Sequence, residues 1–489
     1  MKFVKISPID NVAVALLPLS EGEEALGVTL TADIPAGQKF ALADIKEGEN
    51  VIKYGSPIGH ATENITPGSW VHTHNTKTNL DGILEYKYDP VEIPEKEGKS
   101  ATFKGFRRAD GKAGIRNEIW IIPTVGCVNS PAEIIAKEAE KFVLGSVDGV
   151  FALTHPFGCS QLGGDHLNTQ KALAGLVHHP NAGGVLVLGL GCENNNLDEF
   201  RKILGETDPE RVRFLNCQDV TDEIEDGLAI VRELCDIASK DVREDIPSSE
   251  LIVGLKCGGS DGFSGITANP AVGVFSDMLV YGGGTAILTE VPEMFGAETL
   301  LMERCENREL FDKTVSLINN FKEYFIRYGQ VVYENPSPGN KKGGITTLED
   351  KSLGCTQKCG TAAVKAVMEY GDPVTVKGLN LLSAPGNDLV ASTALAVSGA
   401  HLVLFTTGRG TPFGCPVPTV KISSNTPLAE KKPTWIDFNA GVVCETGDIA
   451  ACGADLFDYV MALASGEIKT NNEKQNMKGI SIFKDGVTL

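Results

Sequence analysis

The sequence contains no long hydrophobic run and no closely paired cysteines. Its apolar stretches fall short of the about 18–20 residues that a membrane-spanning helix needs, so we expect no membrane span. The first apolar segment is short and is interrupted by Asp10, Pro18 and Glu21, so we expect no signal peptide and a cytoplasmic protein. The 12 cysteines form no CxxC pair, which favours free thiols over a disulfide framework or a structural zinc site.

The chain also has fewer positively charged residues than negatively charged ones. The chain has 44 Lys and Arg against 64 Asp and Glu, a formal net charge of −20. This balance argues against nucleic acid or an anionic membrane as a partner. A small anionic substrate stays compatible with it, because a few basic residues or a metal ion can reverse the field in one pocket.

Nucleotide-phosphate motifs are missing as well. There is no GxxxxGK[ST] segment, and the one stretch similar to a GxGxxG fingerprint, which starts at Gly189, has Asn194 in place of the third glycine. A fingerprint without its third glycine is a weak signal. The sequence therefore offers no support for a bound nucleotide.

The patterns that are present predict an α/β protein of several domains. Residues 1–90 contain short β-like runs between Gly, Pro and Asp turns, which indicates a small all-β domain. Residues 91–104 are rich in Pro, Glu and Lys and are predicted to be a linker. Strands then alternate with helices in residues 105–244 and again in 245–489, which predicts two α/β domains with largely parallel sheets.

Three predicted strands of the second domain each end in a Gly-Cys-polar loop, containing Cys127, Cys159 and Cys192. Because ligands collect at the carboxyl ends of parallel strands, we expect the three loops to converge on one crevice. A single Gly-Cys turn is more often simple tight packing, but three in register favour a site. Acid, base or ligand candidates in the same loops are Asp165, His166 and Glu193.

The last predicted strand of the first domain carries His72 and His74. Residues two apart in a strand point to the same side, and two adjacent imidazoles suit a metal or acid–base chemistry. A lone histidine is usually only a satisfied side chain, but the pair favours a role.

The third domain contains the richest stretch, Gly254 to Pro270, in which a strand leads into a loop with Cys257, Ser260 and Asp261. Glycine lets such a loop approach a ligand closely. Further along, Glu290 and Glu293 follow another predicted strand. They suit a metal ion or acid–base catalysis, and equally the start of a helix.

Two more segments of the third domain carry polar groups. Residues 335–360 are predicted to be a long polar loop, in which Asn340 and Lys351 suit a polyol substrate. Arg409 follows an apolar strand and offers a guanidinium fork to a carboxylate.

The segments described above, read as continuous stretches of sequence, resemble the altronate/galactarate dehydratase family. The resemblance runs through the whole chain and rests on long, specific phrases: KYGSPIGHA, VHTHN, RRADGKAGIRNEIWIIPTVGCVN, HPFGCSQLGGDH, LGLGCENN, LKCGGSDGFSGITANP, TEVPEMFGAE, NPSPGNKKGGITTLEDKSLGCTQK, SAPGND and TTGRGTPFG. It implies an amino-terminal SAF (β-clip) domain, two α/β domains and a divalent metal, Fe(II) or Mn(II). It also implies conversion of D-altronate to 2-dehydro-3-deoxy-D-gluconate in hexuronate breakdown.

Such a dehydration needs a base for the C2 proton, an acid for the C3 hydroxyl and stabilisation of the enolate. We expect catalytic roles for His72, His74, Asp165, His166, Glu193 and Asp261; substrate contacts from Ser260, Asn340, Lys351 and Arg409; and metal ligands among His72, His74, Cys127, Cys159, Cys192 and Cys257.

Four alternatives stay open at this stage. They are galactarate dehydration, sulfolactate sulfo-lyase chemistry, an iron–sulfur hydro-lyase suggested by the cysteine-rich loops, and a sugar-acid binding protein without turnover. The cluster of acid–base groups counts against the last of these. The expected partner is a small sugar acid, and a homo-oligomer is left open.

Overall fold

The computed structural model describes residues 1–93 and 95–489. Its first domain is built from short antiparallel strands. Two small sheets have the orders β1-β2-β5-β8 and β6-β7-β9. Tight turns join them; at Gly68 (φ +83°) a Cβ would come within 2.0 Å of the Thr29 carbonyl oxygen, so only glycine fits. The strands are β1 Phe3–Val4, β2 Val12–Ala15, β3 Glu24–Ala25, β4 Val28–Thr29, β5 Lys39–Ala41, β6 Asn50–Lys53, β7 Ser56–Ala61, β8 Trp70–Val71 and β9 Thr76–Lys77.

The second domain contains a parallel four-stranded sheet of order β13-β12-β14-β15, with helices between its strands. Its central strand β12 is buried along its whole length, as expected for a sheet covered on both faces. A separate antiparallel sheet, β11-β10-β16, begins inside the predicted linker. The elements are β10 Thr102–Arg107, β11 Ala113–Gly114, β12 Glu118–Pro123, α1 Asn129–Ala139, β13 Gly149–Ala152, α2 Gly163–Val177, β14 Ala182–Gly189, α3 Leu197–Leu204, β15 Val212–Asn216, α4 Glu223–Ala238 and β16 Arg243–Pro247.

The third domain is organised around a seven-stranded sheet of order β19-β20-β18-β17-β21-β22-β23, in which every neighbouring pair is parallel. Its elements are β17 Ile252–Cys257, α5 Ala268–Tyr281, β18 Thr285–Leu288, α6 Glu298–Met302, α7 Arg308–Arg327, α8 Pro338–Lys342, α9 Leu348–Cys355, β19 Val364–Met368, β20 Gly378–Leu382, α10 Asp388–Val397, β21 Leu402–Thr407, β22 Thr419–Ser423, α11 Thr426–Lys431, β23 Phe438–Asn439, α12 Val443–Thr446, α13 Ile449–Ala464 and α14 Asn471–Lys474.

The fold class predicted from the sequence is confirmed: a small all-β domain precedes α/β domains with parallel sheets. One local prediction is wrong. Residues 335–360 are not an open loop but contain α8 and α9, which begin at the capping side chains of Ser337 and Thr347. No helix in residues 1–93 and 95–489 is both long and apolar enough to span a membrane.

Candidate functional site

The strand ends of the third domain bring two glutamates and a cysteine together. Strand β17 ends at Cys257, and the parallel neighbour β18 ends just before Glu290. The Cys257 backbone N–H donates to Glu290 Oε2 over 2.9 Å. Parallel neighbours end at the same edge of a sheet, which is why residues 33 positions apart meet.

Glu290 sits in a strained and charged position. Its backbone is left-handed (φ +68°), which is uncommon for a residue other than glycine and is found preferentially at functional sites. Its carboxylate accepts a hydrogen bond from the buried Lys256 ammonium, and the Lys358 ammonium lies 3.5 Å away. The surrounding contacts therefore hold this carboxylate in one orientation.

Glu293 lies on the short helical turn that follows and is fully enclosed. Its Oε1 accepts a hydrogen bond of 2.7 Å from Lys351 of α9, which also donates to Asn335 Oδ1 over 3.2 Å. Burial raises the pKa of Glu293, but the attraction of the surrounding lysines is larger and lowers it to about 2. The group is therefore a carboxylate at neutral pH.

Cys257, Glu293 and Cys355 form a compact set of possible metal ligands. The two sulfur atoms are 3.3 Å apart, and Glu293 Oε2 lies 3.2 Å from Cys257 Sγ and 3.4 Å from Cys355 Sγ. Ligands bound to one ion at about 2.0–2.3 Å have separations of this size. The three residues therefore fit a single metal ion, and two thiolates favour a soft ion such as Fe(II) over Mg²⁺.

The charge balance of the cluster is compatible with such an ion. Lys256, Lys351 and Lys358 surround the carboxylates of Glu290 and Glu293. The hydrogen bond with Cys355 and burial raise the pKa of the Cys257 thiol, so the sulfur is protonated without a metal. A divalent ion that displaces both thiol protons leaves the net charge unchanged, because two thiolates offset it.

A cavity of about 590 Å³ lies next to this cluster and is lined by neighbours of its residues. Asn335, which contacts Lys351, lines it together with Pro292 and Gly386, and a Cβ at Gly386 would lie 3.5 Å from Glu293 Oε1. The outer wall contains Tyr324 and Tyr328 of the α7 region. Its volume is in the range of small-molecule sites.

The first domain is attached to the helix that carries Lys351 and Cys355. Lys39 and Lys53 both reach Asp350, at 2.8 and 2.9 Å, and all three side chains are buried. Burial raises the pKa of Asp350, but the two ammonium groups outweigh it and hold the pKa well below the usual range. These contacts fix α9 relative to the first domain.

His72 contacts the same segment from the first domain, whereas His74 is exposed. His72 Nδ1 lies 3.3 Å from Thr346 Oγ1, two residues before α9 begins. Burial and the nearby Lys39 lower the pKa of His72 to about 4, so the imidazole is neutral at pH 7. The two histidines are in a turn rather than in the predicted strand, because the Asn75 side chain accepts from the His72 N–H and closes that turn.

The other predicted residues of the third domain surround the loop after β17. Asp261 is buried and accepts from the hydroxyls of Ser264 and Ser424, which makes it an anchor of the loop. Asn340 Nδ2 donates to the Ser260 carbonyl over 2.8 Å. Arg409 is exposed on the neighbouring strand end. Their predicted catalytic or substrate roles stay predictions.

The predicted residues of the second domain form a separate group. Glu193 Oε1 accepts from the Thr124 hydroxyl over 2.6 Å, so it braces two loops. Asp165 accepts two backbone N–H groups of the carboxyl-terminal segment, from Asp485 and Gly486, each over 2.7 Å. Half-buried His166 is on the first turn of α2. These contacts hold loops and the chain end together, and the predicted catalytic roles of the three residues stay predictions.

Sequence reasoning missed three residues of the third-domain cluster: Lys256, Cys355 and Lys358. Lys256 lies in a segment with the pattern of an ordinary buried strand, and Cys355 and Lys358 lie in the segment predicted to be a polar loop. The available signal was Lys256 itself, since a charged residue inside a fully buried strand is rarely found without a partner.

Comparison with protein-family models matches three consecutive parts of the chain. Residues 1–79 match the altronate/galactarate dehydratase SAF domain, residues 105–239 the D-galactarate dehydratase/altronate hydrolase second domain, and residues 248–488 the D-galactarate/altronate dehydratase C-terminal domain. The third match contains the whole Cys–Glu–Cys cluster.

Curated relatives match over the full chain. An altronate dehydratase of Bacillus subtilis is 55% identical over 100% of this chain and 99% of its own, and one of Escherichia coli is 52% identical over 100% of both. A galactarate dehydratase (L-threo-forming) of Escherichia coli is 35% identical over 96% of this chain and 94% of its own. The similarity therefore extends across all three domains.

Proposed function

Since the chain belongs to the altronate/galactarate dehydratase family, we propose that it is a hydro-lyase that removes water from D-altronate to form 2-dehydro-3-deoxy-D-gluconate. The observation that carries the proposal is the buried cluster of Cys257, Glu293, Cys355 and Lys351, which lies beside a cavity of small-molecule size. Relatives named altronate dehydratase are more similar than the galactarate relative, which favours altronate.

In this proposal Cys257, Glu293 and Cys355 hold a divalent metal, Fe(II) or Mn(II), which when bound supplies Lewis-acid polarisation of substrate oxygens. Lys351 binds the substrate carboxylate and stabilises the negative charge that develops when the C2 proton leaves. His72, neutral at pH 7, is the candidate base for that proton, because it contacts the segment about one helical turn from Lys351. The enol product then becomes the 2-keto acid.

The substrate proposal is tested by a 2-keto acid assay on the metal-free protein under reducing, anaerobic conditions. D-Altronate, D-galactarate and D-mannonate are each supplied with Fe(II), Mn(II), Mg(II) or a chelator, and sulfolactate is tested in parallel for sulfite release. Turnover of altronate alone supports the proposal. Turnover of galactarate or sulfolactate with none of altronate overturns it, and so does inactivity on every compound.

We expect the chelator to abolish turnover, Fe(II) to restore it most strongly, Mn(II) to restore it less and Mg(II) not to restore it, because thiolate ligands select softer ions. Cys355→Ser should raise the Fe(II) concentration that gives half-maximal turnover by at least about 10–100-fold, which is what loss of a residue supporting a ligand costs, because it changes a ligand itself. Half-buried Cys444, outside the cluster, provides the control, and Cys444→Ser should leave that concentration unchanged. Full activity in chelator, or restoration by Mg(II) alone, would contradict the metal assignment.

His72→Ala should lower kcat by about 10²-fold, the lower end of the effect of a positioned general base. His74→Ala should leave kcat within about twofold, because that side chain is exposed. Because the pKa of His72 is about 4, kcat/KM of the wild type should show no acid limb near pH 6.5. Equal activity of both variants, or an acid limb at pH 6.5 that disappears in His72→Ala, would remove this role.

Two finer expectations belong to the same proposal. The product fits a place in hexuronate breakdown, and a sugar-acid dehydratase that depends on reduced thiols fits the cytoplasm. The oligomeric state of the purified protein is settled by light scattering of the full chain.

A further inference from the structure

The second domain carries a group of cysteines that the proposed function does not use. Cys127 follows the end of β12, Cys159 that of β13 and Cys192 that of β14. These strands are neighbours in the order β13-β12-β14 and run parallel, so the three loops leave the same edge of the sheet. All three cysteines are exposed, whereas most of the other cysteines are buried.

The three loops are in direct contact with one another. The Gly126 N–H donates to the Phe157 carbonyl over 2.8 Å, and the Asn195 N–H donates to the Gly158 carbonyl over 2.9 Å. Gly158 (φ +99°) packs so closely that a Cβ there would come within 1.9 Å of the Thr124 carbonyl oxygen. The loops that present the sulfur atoms are therefore held in fixed relative positions.

Unpaired and strained groups mark the same loops. Gln161 Nε2 and Asn195 Oδ1 are buried without a hydrogen-bond partner among the residues that the structure describes. Ser160, next to Cys159, has a left-handed backbone (φ +58°). Buried unpaired groups and non-glycine residues of this conformation concentrate at functional sites. They indicate that these loops serve a ligand.

The sulfur spacing excludes one kind of centre, a single ion held by all three cysteines. Within residues 1–93 and 95–489, the group whose ligand atoms all lie within 4.8 Å of one another is Cys257, Glu293 and Cys355. At least two of the three sulfur atoms of Cys127, Cys159 and Cys192 are therefore more than 4.8 Å apart. One ion bound at about 2.3 Å from each sulfur requires closer thiolates. A cluster places several iron atoms and sulfides between its cysteines and takes thiolates farther apart.

We propose that Cys127, Cys159 and Cys192 are the ligands of an iron–sulfur cluster at the strand ends of the second domain, separate from the Cys–Glu–Cys site of the third. Four-iron clusters have four corners, each usually held by a cysteine. Three cysteines leave one iron free for an oxygen ligand such as a hydroxyl or carboxylate. The proposal concerns the resting protein and does not depend on altronate being the substrate.

The test uses the full chain purified without oxygen and reconstituted with Fe(III), sulfide and dithiothreitol as the reductant, with no substrate present. Iron, acid-labile sulfide and visible charge-transfer absorption are measured per chain. We expect several irons and sulfides per chain, with iron in excess of sulfide by the ion of the Cys–Glu–Cys site, and loss of most of the bound sulfide in each of Cys127→Ser, Cys159→Ser and Cys192→Ser. Cys217→Ser, at the end of β15 of the same sheet, and Cys257→Ser should keep the wild-type sulfide content.

A second measurement uses the wild-type protein, so it tests the proposal even where a variant fails to fold. In the reconstituted wild type the three exposed thiols should resist alkylation by iodoacetamide, and they should react after the iron is removed by a chelator. A wild-type protein with at most one iron per chain and no sulfide overturns the proposal. So does loss of the cluster in Cys257→Ser, which would place it in the third domain, and so does unchanged alkylation of all three thiols.

Discussion

Replacing Lys351 with methionine should lower kcat/KM for D-altronate by about 10³-fold, the upper range for loss of one group that stabilises an oxyanion. The Lys351 ammonium lies 2.7 Å from Glu293 and borders the cavity through Asn335. Methionine keeps most of the side-chain volume and removes the charge that binds the substrate carboxylate. The measurement is steady-state formation of the 2-keto acid with saturating Fe(II).

A structural effect of Lys351→Met has to be separated from a catalytic one, because the change leaves Glu293 buried without its cation. Urea unfolding of the variant reports whether the protein is folded under assay conditions. Lys351→Arg keeps the charge and should recover part of the activity. Lys365→Met, which removes an exposed partner of Glu306, should leave activity unchanged. A folded Lys351→Met protein within about tenfold of wild type would refute the role.

Replacing Asp350 with asparagine should lower the free energy of unfolding by about 3–5 kcal/mol, because it leaves the buried ammonium groups of Lys39 and Lys53 without a counter-charge. The change acts on the contact that joins the first domain to α9. Urea unfolding of the full chain at pH 7 gives the value. Asp312→Asn, which removes an exposed helix ion pair with Arg308, should change it by less than about 0.5 kcal/mol.

The same carboxylate makes stability depend on pH. Its pKa is held below the usual range, so its contribution is present above the unfolded value of about 3.9 and is lost as pH falls through the folded value. The wild-type free energy of unfolding should therefore drop steeply below about pH 4. Asp350→Asn should show a shallower drop over that range, and identical slopes would mean that Asp350 is not paired as described.

Local sequence patterns account for several features of this fold. Asparagine is a favoured residue at helix starts, and Asn196 caps α3 by accepting a hydrogen bond from the Glu199 N–H. The loops of Cys127, Cys159 and Cys192 were expected to converge, and their strands are neighbours. Both follow from short-range rules, because capping and the edge at which parallel strands end depend on nearby residues.

Local patterns did not predict contacts between residues that are distant in sequence. Cys355 joins Cys257 across 98 positions, and Lys39 meets Asp350 across 311. The segment of Lys351 is polar enough to be predicted as a loop, yet α9 is buried, because its charges are paired by the first and third domains. The sequence pattern of the segment itself gives no information about these distant partners.

By itself the sequence determined the class of the protein, its α/β architecture and, through long phrases, its family. It did so because hydrophobic period, glycine turns and strand-end loops are local properties that the chain expresses wherever it folds. Only the tertiary structure decided which cysteines share a site. It placed Cys257 with Glu293 and Cys355, and left the exposed thiols of the second domain as a group of their own. Strand order and domain packing set those distances, and neither is encoded in the spacing of residues along the chain.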